Sequence, residues 1–227
     1  DGGFADLHHP EYWNLSWVGH SPLADEYRRM VDGIGDAVRF METLSGNQLH
    51  NLNRVDFYTS HEALLLPYEE GQTREVPRNW GWFNLSTHFP WIGMRTAQLD
   101  GAHVEYFRGI RNPIGLKIGP SVAPEQLLKV IEALNPDNEP GRLTLIHRMG
   151  AAHIAEKLPP LLAAVKREGK RVLWICDPMH GNTESTTNGY KTRRFRNIRS
   201  ELEQAFDAHA AAGLHLGGVH LELTGED

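Results

Sequence analysis

Arg95, Lys117, Arg148, His180 and Glu222 each stand at or just beyond the C-terminal end of a short apolar run. The runs cover residues 55–59, 83–93, 114–119, 143–147, 172–176 and 219–223; Ser60-His61-Glu62 follows the first, and Asp177 precedes His180 after the fifth. In parallel α/β folds chemistry collects at the carboxyl ends of the strands, so an ionisable group at that end of six successive runs predicts a shared site. Three cations from three consecutive runs, Arg95, Lys117 and Arg148, predict an anionic ligand, a phosphate or a carboxylate. Unpaired buried charge is costly, and Arg grips such groups bidentately while Lys acts as a point charge. The alternative is that each cation pairs with a local Asp or Glu.

His180 lies in Cys176-Asp177-Pro178-Met179-His180-Gly181-Asn182, and strand alternation puts Glu222 on the same face as His220. A His and a Glu from adjacent strands make half of a site for Mn, Fe, Co or Zn, with a satisfied core histidine as the alternative. Cys176 invites reading as a third ligand, but its place in an apolar strand predicts a small buried hydrophobe. Lys191, Arg193, Arg194, Arg196 and Arg199 read as a solvated loop and helix start rather than a phosphate or nucleic-acid patch. No glycine-rich phosphate loop is present.

The elements that would position these residues alternate. Ser21-Pro22 opens a helix with apolar residues at Tyr27, Met30, Val31, Ile34, Val38 and Met41. Between the apolar runs lie helical stretches at 61–70, 96–110, 124–134, 151–168 and 194–212. Pro159-Pro160 is expected to break the fourth; Phe195, Ile198, Leu202 and Phe206 share a face of the last, and Gly213 should stop it. This cadence predicts a parallel α/β architecture. A single domain over 1–227 is expected, with residues 1–50 a helical segment packing on it.

The composition agrees with a folded globular chain: 227 residues, 40% hydrophobic and 23% charged, with mean hydropathy -0.45. A net charge of -6 argues against a general nucleic-acid binder. Thirteen histidines raise the prospect of metal or proton chemistry. Apolar runs such as Ala63-Leu64-Leu65-Leu66 fall far short of the roughly 18 residues a membrane span needs. The single cysteine and the absence of a readable export signal at Asp1-Gly2-Gly3 predict a cytoplasmic protein, and the missing initiator Met predicts processing or an upstream segment.

Several phrases together resemble the type II 3-deoxy-D-arabino-heptulosonate 7-phosphate synthases. They include Ser60-His61-Glu62-Ala63-Leu64, Trp91-Ile92-Gly93-Met94-Arg95-Thr96, Asn112-Pro113-Ile114-Gly115-Leu116-Lys117, His147-Arg148-Met149-Gly150, Cys176-Asp177-Pro178-Met179-His180-Gly181-Asn182-Thr183, Gly189-Tyr190-Lys191-Thr192-Arg193 and Gly218-Val219-His220-Leu221-Glu222. The resemblance is collinear over nearly the whole chain. It implies a (β/α)8 TIM-type barrel, here with about six βα units, that condenses phosphoenolpyruvate with erythrose 4-phosphate using a divalent metal such as Mn or Co.

By the resemblance, Arg95, Lys117 and Arg148 bind phosphoenolpyruvate, His180 and Glu222 ligate the metal, and Lys117, Arg148, His180 and Glu62 take the catalytic roles. A homo-oligomer is expected, with no nucleic-acid or membrane partner. The family also has an upstream ligand cysteine, a downstream ligand aspartate and an upstream Lys-Pro-Arg-Ser segment for the sugar phosphate, none of which is found in this sequence. Met94 stands where the family usually has Glu, removing a carboxylate from water positioning and proton transfer. Competing expectations are a catalytically impaired relative that binds phosphorylated ligand or a partner protein, and a metal-dependent hydrolase on a similar barrel.

Overall fold

A computed structural model describes residues 13, 16, 19–45, 58–77 and 80–223, and the chain divides into compact units at 1–57 and 58–227. In the first unit, Ser21 Oγ accepts from the Leu23 N–H at 3.2 Å and helix α1 runs Ala24–Ser45. Its covered strip is Ala24, Tyr27, Val31, Gly35 and Val38, a period near half a heptad. The expected apolar face is therefore only partly correct, since Met30, Ile34 and Met41 are exposed.

In the second unit, six strands form one parallel sheet: β1 Ser60–Glu62, β4 Phe89–Ile92, β5 Ile114–Ile118, β6 Leu143–His147, β7 Leu173–Cys176 and β10 Gly218–Val219. They lie side by side in chain order, every neighbouring pair parallel. Every residue of β5 and β6 is buried, as expected of central strands covered on both faces. Ile114, Leu116, Ile118, Leu143, Leu145, Trp174 and Cys176 join the main core with the helices. The alternate residues Gly115, Lys117, Thr144, Ile146, Ile175 and Asp177 fall on the opposite face by the two-residue period.

Helix α3 spans Ala102–Gly109, α4 Pro124–Leu134, α5 Ile154–Arg167 and α6 Phe195–Ala212. Leu127, Val130, Ile131 and Leu134 of α4 are buried at the spacing of one helical face. The expected break in α5 does not occur. Pro159 and Pro160 sit on its exposed side, where the carbonyls they leave free can be hydrated, while buried Leu158, Leu161, Leu162 and Val165 hold the helix on the core. Helix α6 ends at Gly213, φ +62°, but its buried stripe is Glu201, Ala205 and His209. Phe195 and Phe206 of the expected face are exposed.

Other boundaries also differ. The first strand is Ser60–Glu62 rather than 55–59, of which residues 55–57 lie outside the described residues and Tyr58 and Thr59 are not strand. The stretch 61–70 folds as the end of that strand and the short helix α2, Leu66–Gly71. Run 83–93 is two strands, because β3, Trp82–Asn84, turns away to pair antiparallel with β2, Thr73–Glu75. Helix α3 is shorter than 96–110, and β10 ends before His220. A second hairpin, β8 Thr183–Ser185 with β9 Lys191–Arg193, lies between β7 and α6.

Candidate active site

The C-terminal ends of the strands bring Glu62, Arg95, Lys117, Arg148 and His180 around one cavity of about 440 Å³. The sheet must curl for residues from five strand ends to line one space. Trp91, Met94, Thr183, Lys191 and Arg193 complete much of the wall. Five basic side chains face a single lining carboxylate, that of Glu62, which suits an anionic ligand. Gly93 makes room for that carboxylate: a Cβ there would lie 1.9 Å from Glu62 Oε1.

Each predicted cation has a different environment. Lys117 is buried, its Nζ donating to Asp177 Oδ2 at 2.7 Å and lying 4.4 Å from the Trp91 ring centroid. The local-acid alternative therefore holds for Lys117. Arg148 pairs with no carboxylate among the described residues; it donates from Nη1 to Met94 Sδ at 3.1 Å and from Nη2 to the His180 carbonyl, and its buried Nε has no partner. That approach depends on Gly181, where a Cβ would lie 2.4 Å from the Gly150 nitrogen. Arg95 is exposed at the cavity rim, in the short 3-10 turn Met94–Thr96.

Asp177 is the hub that the strand pattern pointed to without showing its role. Fully buried, it accepts from Lys117 and from His180 Nδ1 at 2.8 Å through Oδ2, while Oδ1 takes the backbone N–H groups of Met179 and His180 at 3.0 Å each. Burial pushes its carboxyl pKa up, but the Lys117 ammonium and the His180 contacts outweigh this and hold it below the usual aspartate value. With Nδ1 engaged, His180 presents Nε2 to Glu222 Oε2 at 3.5 Å. Glu222 also pairs with Arg193 Nη2 at 2.5 Å.

His180 and Glu222 thus form a nitrogen and oxygen donor pair at the mouth, with a carboxylate behind the histidine as in many metal sites. The pair is of a kind that could hold a divalent ion, although Glu222 Oε2 is engaged by Arg193. Cys176 cannot join them. It is paired in register with His147 and lies on the helix side of the sheet, within 4.8 Å of ligand atoms of His147 and Glu201. The basic run is also repartitioned: Lys191 and Arg193 enter the cavity wall through hairpin β8–β9, whereas Arg194 and Arg199 pair with Glu184 and Glu203 on the surface. Alternating strand residues could have suggested Lys191 and Arg193, but only the antiparallel pairing folds them over the strand ends.

The model of the Class-II DAHP synthetase family matches residues 1–227. The chain belongs to that family. A phospho-2-dehydro-3-deoxyheptonate aldolase from Streptomyces coelicolor is 47% identical over 226 residues, covering 100% of this chain and 50% of the relative. One from Neurospora crassa is 47% identical over 240 residues, covering 99% and 50%. The chain therefore spans about half the length of these DAHP synthetase relatives. A solved phospho-2-dehydro-3-deoxyheptonate aldolase from Francisella tularensis is 18% identical, with a TM-score of 0.40 over 60% of this chain and 42% of that one. Among the described residues of this family member, no helix is long and apolar enough to cross a membrane.

Proposed function

We propose that this chain is the phosphoenolpyruvate-binding and partly metal-binding portion of an enzyme that condenses phosphoenolpyruvate with erythrose 4-phosphate, its six strands belonging to a (β/α)8 barrel. The observation that carries the reading is the convergence of Arg95, Lys117 and Arg148 on one cavity, with Arg148 lacking any carboxylate partner among the described residues. Arg95 and Arg148 bind and orient the dianionic phosphate and the carboxylate; their guanidinium groups, that of Arg148 held by Met94 and the His180 carbonyl, stabilise charge as phosphate departs. Lys117 is held by Asp177 and stacked on Trp91, so its charge stays at a fixed point instead of following the substrate. Asp177 also fixes the ring of His180. His180 and Glu222 would hold a divalent metal, which would supply Lewis-acid polarisation of the sugar aldehyde.

A second reading, an impaired relative that binds phosphorylated ligand without turnover, draws on Met94. Its thioether occupies the guanidinium of Arg148 on the cavity side. Metal-dependent phosphate release from the two substrates, measured on the full-length natural protein carrying this chain, separates them. Turnover that is lost with chelator and with His180→Ala supports the synthase. Phosphoenolpyruvate binding without turnover supports the second reading.

A further inference from the structure

Behind the sheet, on the face opposite the cavity, His147, Cys176 and Glu201 meet with their ligand atoms all within 4.8 Å of one another. His147 ends β6, Cys176 ends β7 directly beside it in register, and Glu201 reaches in from α6. All three are fully buried. Neither ring nitrogen of His147 has a hydrogen-bond partner, although such buried groups are ordinarily satisfied because leaving one unpaired costs about 1–3 kcal/mol. The sheet and α6 therefore enclose a histidine with two unused nitrogens, a thiol and a carboxylate, and none of them takes part in the chemistry at the mouth.

We propose that His147, Cys176 and Glu201 bind a divalent transition metal of the zinc or cobalt type, at a structural site separate from His180 and Glu222. Nitrogen, sulfur and oxygen donors of these kinds are those such ions take. A thiolate and a carboxylate with a neutral imidazole cancel the charge of a dication, so the occupied site is neutral and its burial is tolerable. As the metal binds, the Cys176 thiol, and the Glu201 carboxyl where it is protonated, give their protons to solvent; no redox change is involved. The Glu201 carboxylate is already fixed in place. Its Oε1 accepts from the Met149 and Gly150 N–H groups at 2.8 and 2.9 Å, and Oε2 accepts from Asn182 Nδ2 at 2.6 Å, leaving Oε2 a free lone pair.

The surroundings agree. Burial raises the pKa of Glu201 and of Cys176 and lowers that of His147 to about 3, so each group is pressed towards its neutral form until a cation is present. His209 stacks on His147 with ring centroids 5.5 Å apart. Its Nδ1 bonds the Ala205 carbonyl at 2.8 Å and its buried Nε2 is also unpartnered. Bound metal would tie α6 to the ends of β6 and β7, one residue before Arg148 and Asp177.

The test uses the fact that Cys176 is the only cysteine of the 227-residue chain. The chain is produced in zinc-depleted, cobalt-supplemented medium, and its metal content and absorption spectrum are read. An equimolar cobalt content with a thiolate-to-cobalt charge-transfer band is expected. The band should persist in His180→Ala and vanish in Cys176→Ser and His147→Ala, with folding of each variant checked by circular dichroism. A folded wild-type chain with no such band overturns the proposal without reference to any variant. So does a band that His147→Ala keeps and His180→Ala loses, which would place the thiolate at the mouth.

Discussion

Arg148 and Arg95 differ from Lys117 in what they have left to give. Lys117 is committed to Asp177, whereas the arginines face the cavity without a carboxylate partner among the described residues, so ligand binding should depend most directly on them. Arg148→Ala is expected to weaken phosphoenolpyruvate binding by about 1.5–3 kcal/mol, roughly 10- to 150-fold, the scale of a charge-assisted hydrogen bond. Calorimetric titration checks it, and curves unchanged in both Arg148→Ala and Arg95→Ala would remove these residues from the anion site. The cations were legible in the sequence because each stands at or near the C-terminal end of an apolar run. Asp177 as their organiser was not, since joining Lys117 to a residue sixty positions away depends on β5, β6 and β7 lying side by side.

Among the elements, the β2–β3 hairpin and α2 are joined to α3 through a buried polar network. Glu69 accepts from His61 Nε2 at 2.8 Å, from Asn84 Nδ2 at 2.6 Å and from Ser86 Oγ at 3.1 Å. Thr73 Oγ1 donates to the Glu69 carbonyl, so the 2.7 Å bond between Thr73 and Tyr106 takes its proton from the tyrosine. Tyr106→Phe removes that bond and the one from Asn84 Nδ2, a loss of about 1–2 kcal/mol at neutral pH. Burial, reinforced by the Glu69 and Glu70 carboxylates, raises the Tyr106 pKa above its ordinary 10.0 despite the two hydrogen bonds. A raised folded-state pKa gives stability that is fully present below 10.0 and lost as pH rises through the folded value. The wild-type advantage over Tyr106→Phe in urea denaturation should therefore shrink at strongly alkaline pH. An advantage that grew there would contradict the assignment.

For the whole molecule, the sheet sets the limit. Among the described residues, β1 and β10 each have a strand neighbour on one side only, whereas a closed barrel leaves no edge. If His180 and Glu222 are the metal ligands, as proposed, two protein donors would leave a transition metal largely solvated, while working Lewis-acid sites usually have at least three. The 227-residue chain alone is therefore expected to give no metal-dependent phosphate release from phosphoenolpyruvate and erythrose 4-phosphate. Robust turnover by the isolated chain, read by the same phosphate assay, would show that two ligands suffice.

The parallel α/β class, the strands at β5, β6 and β7, helix α4 and the placement of cations at strand ends could all be read from the sequence. Central strands buried on both faces must be nearly all apolar, and a helix lying on them must be apolar every third or fourth residue, so these elements carry their burial in their own composition. Tertiary structure alone decided the continuity of α5 through two prolines, the stripe of α6 and the hairpin that carries Arg193 over the cavity. It also decided which face of the sheet each ionisable group serves. Strand alternation sends neighbouring residues such as His147 and Arg148 to opposite faces, but which face is a cavity and which a helix-covered core depends on what packs there.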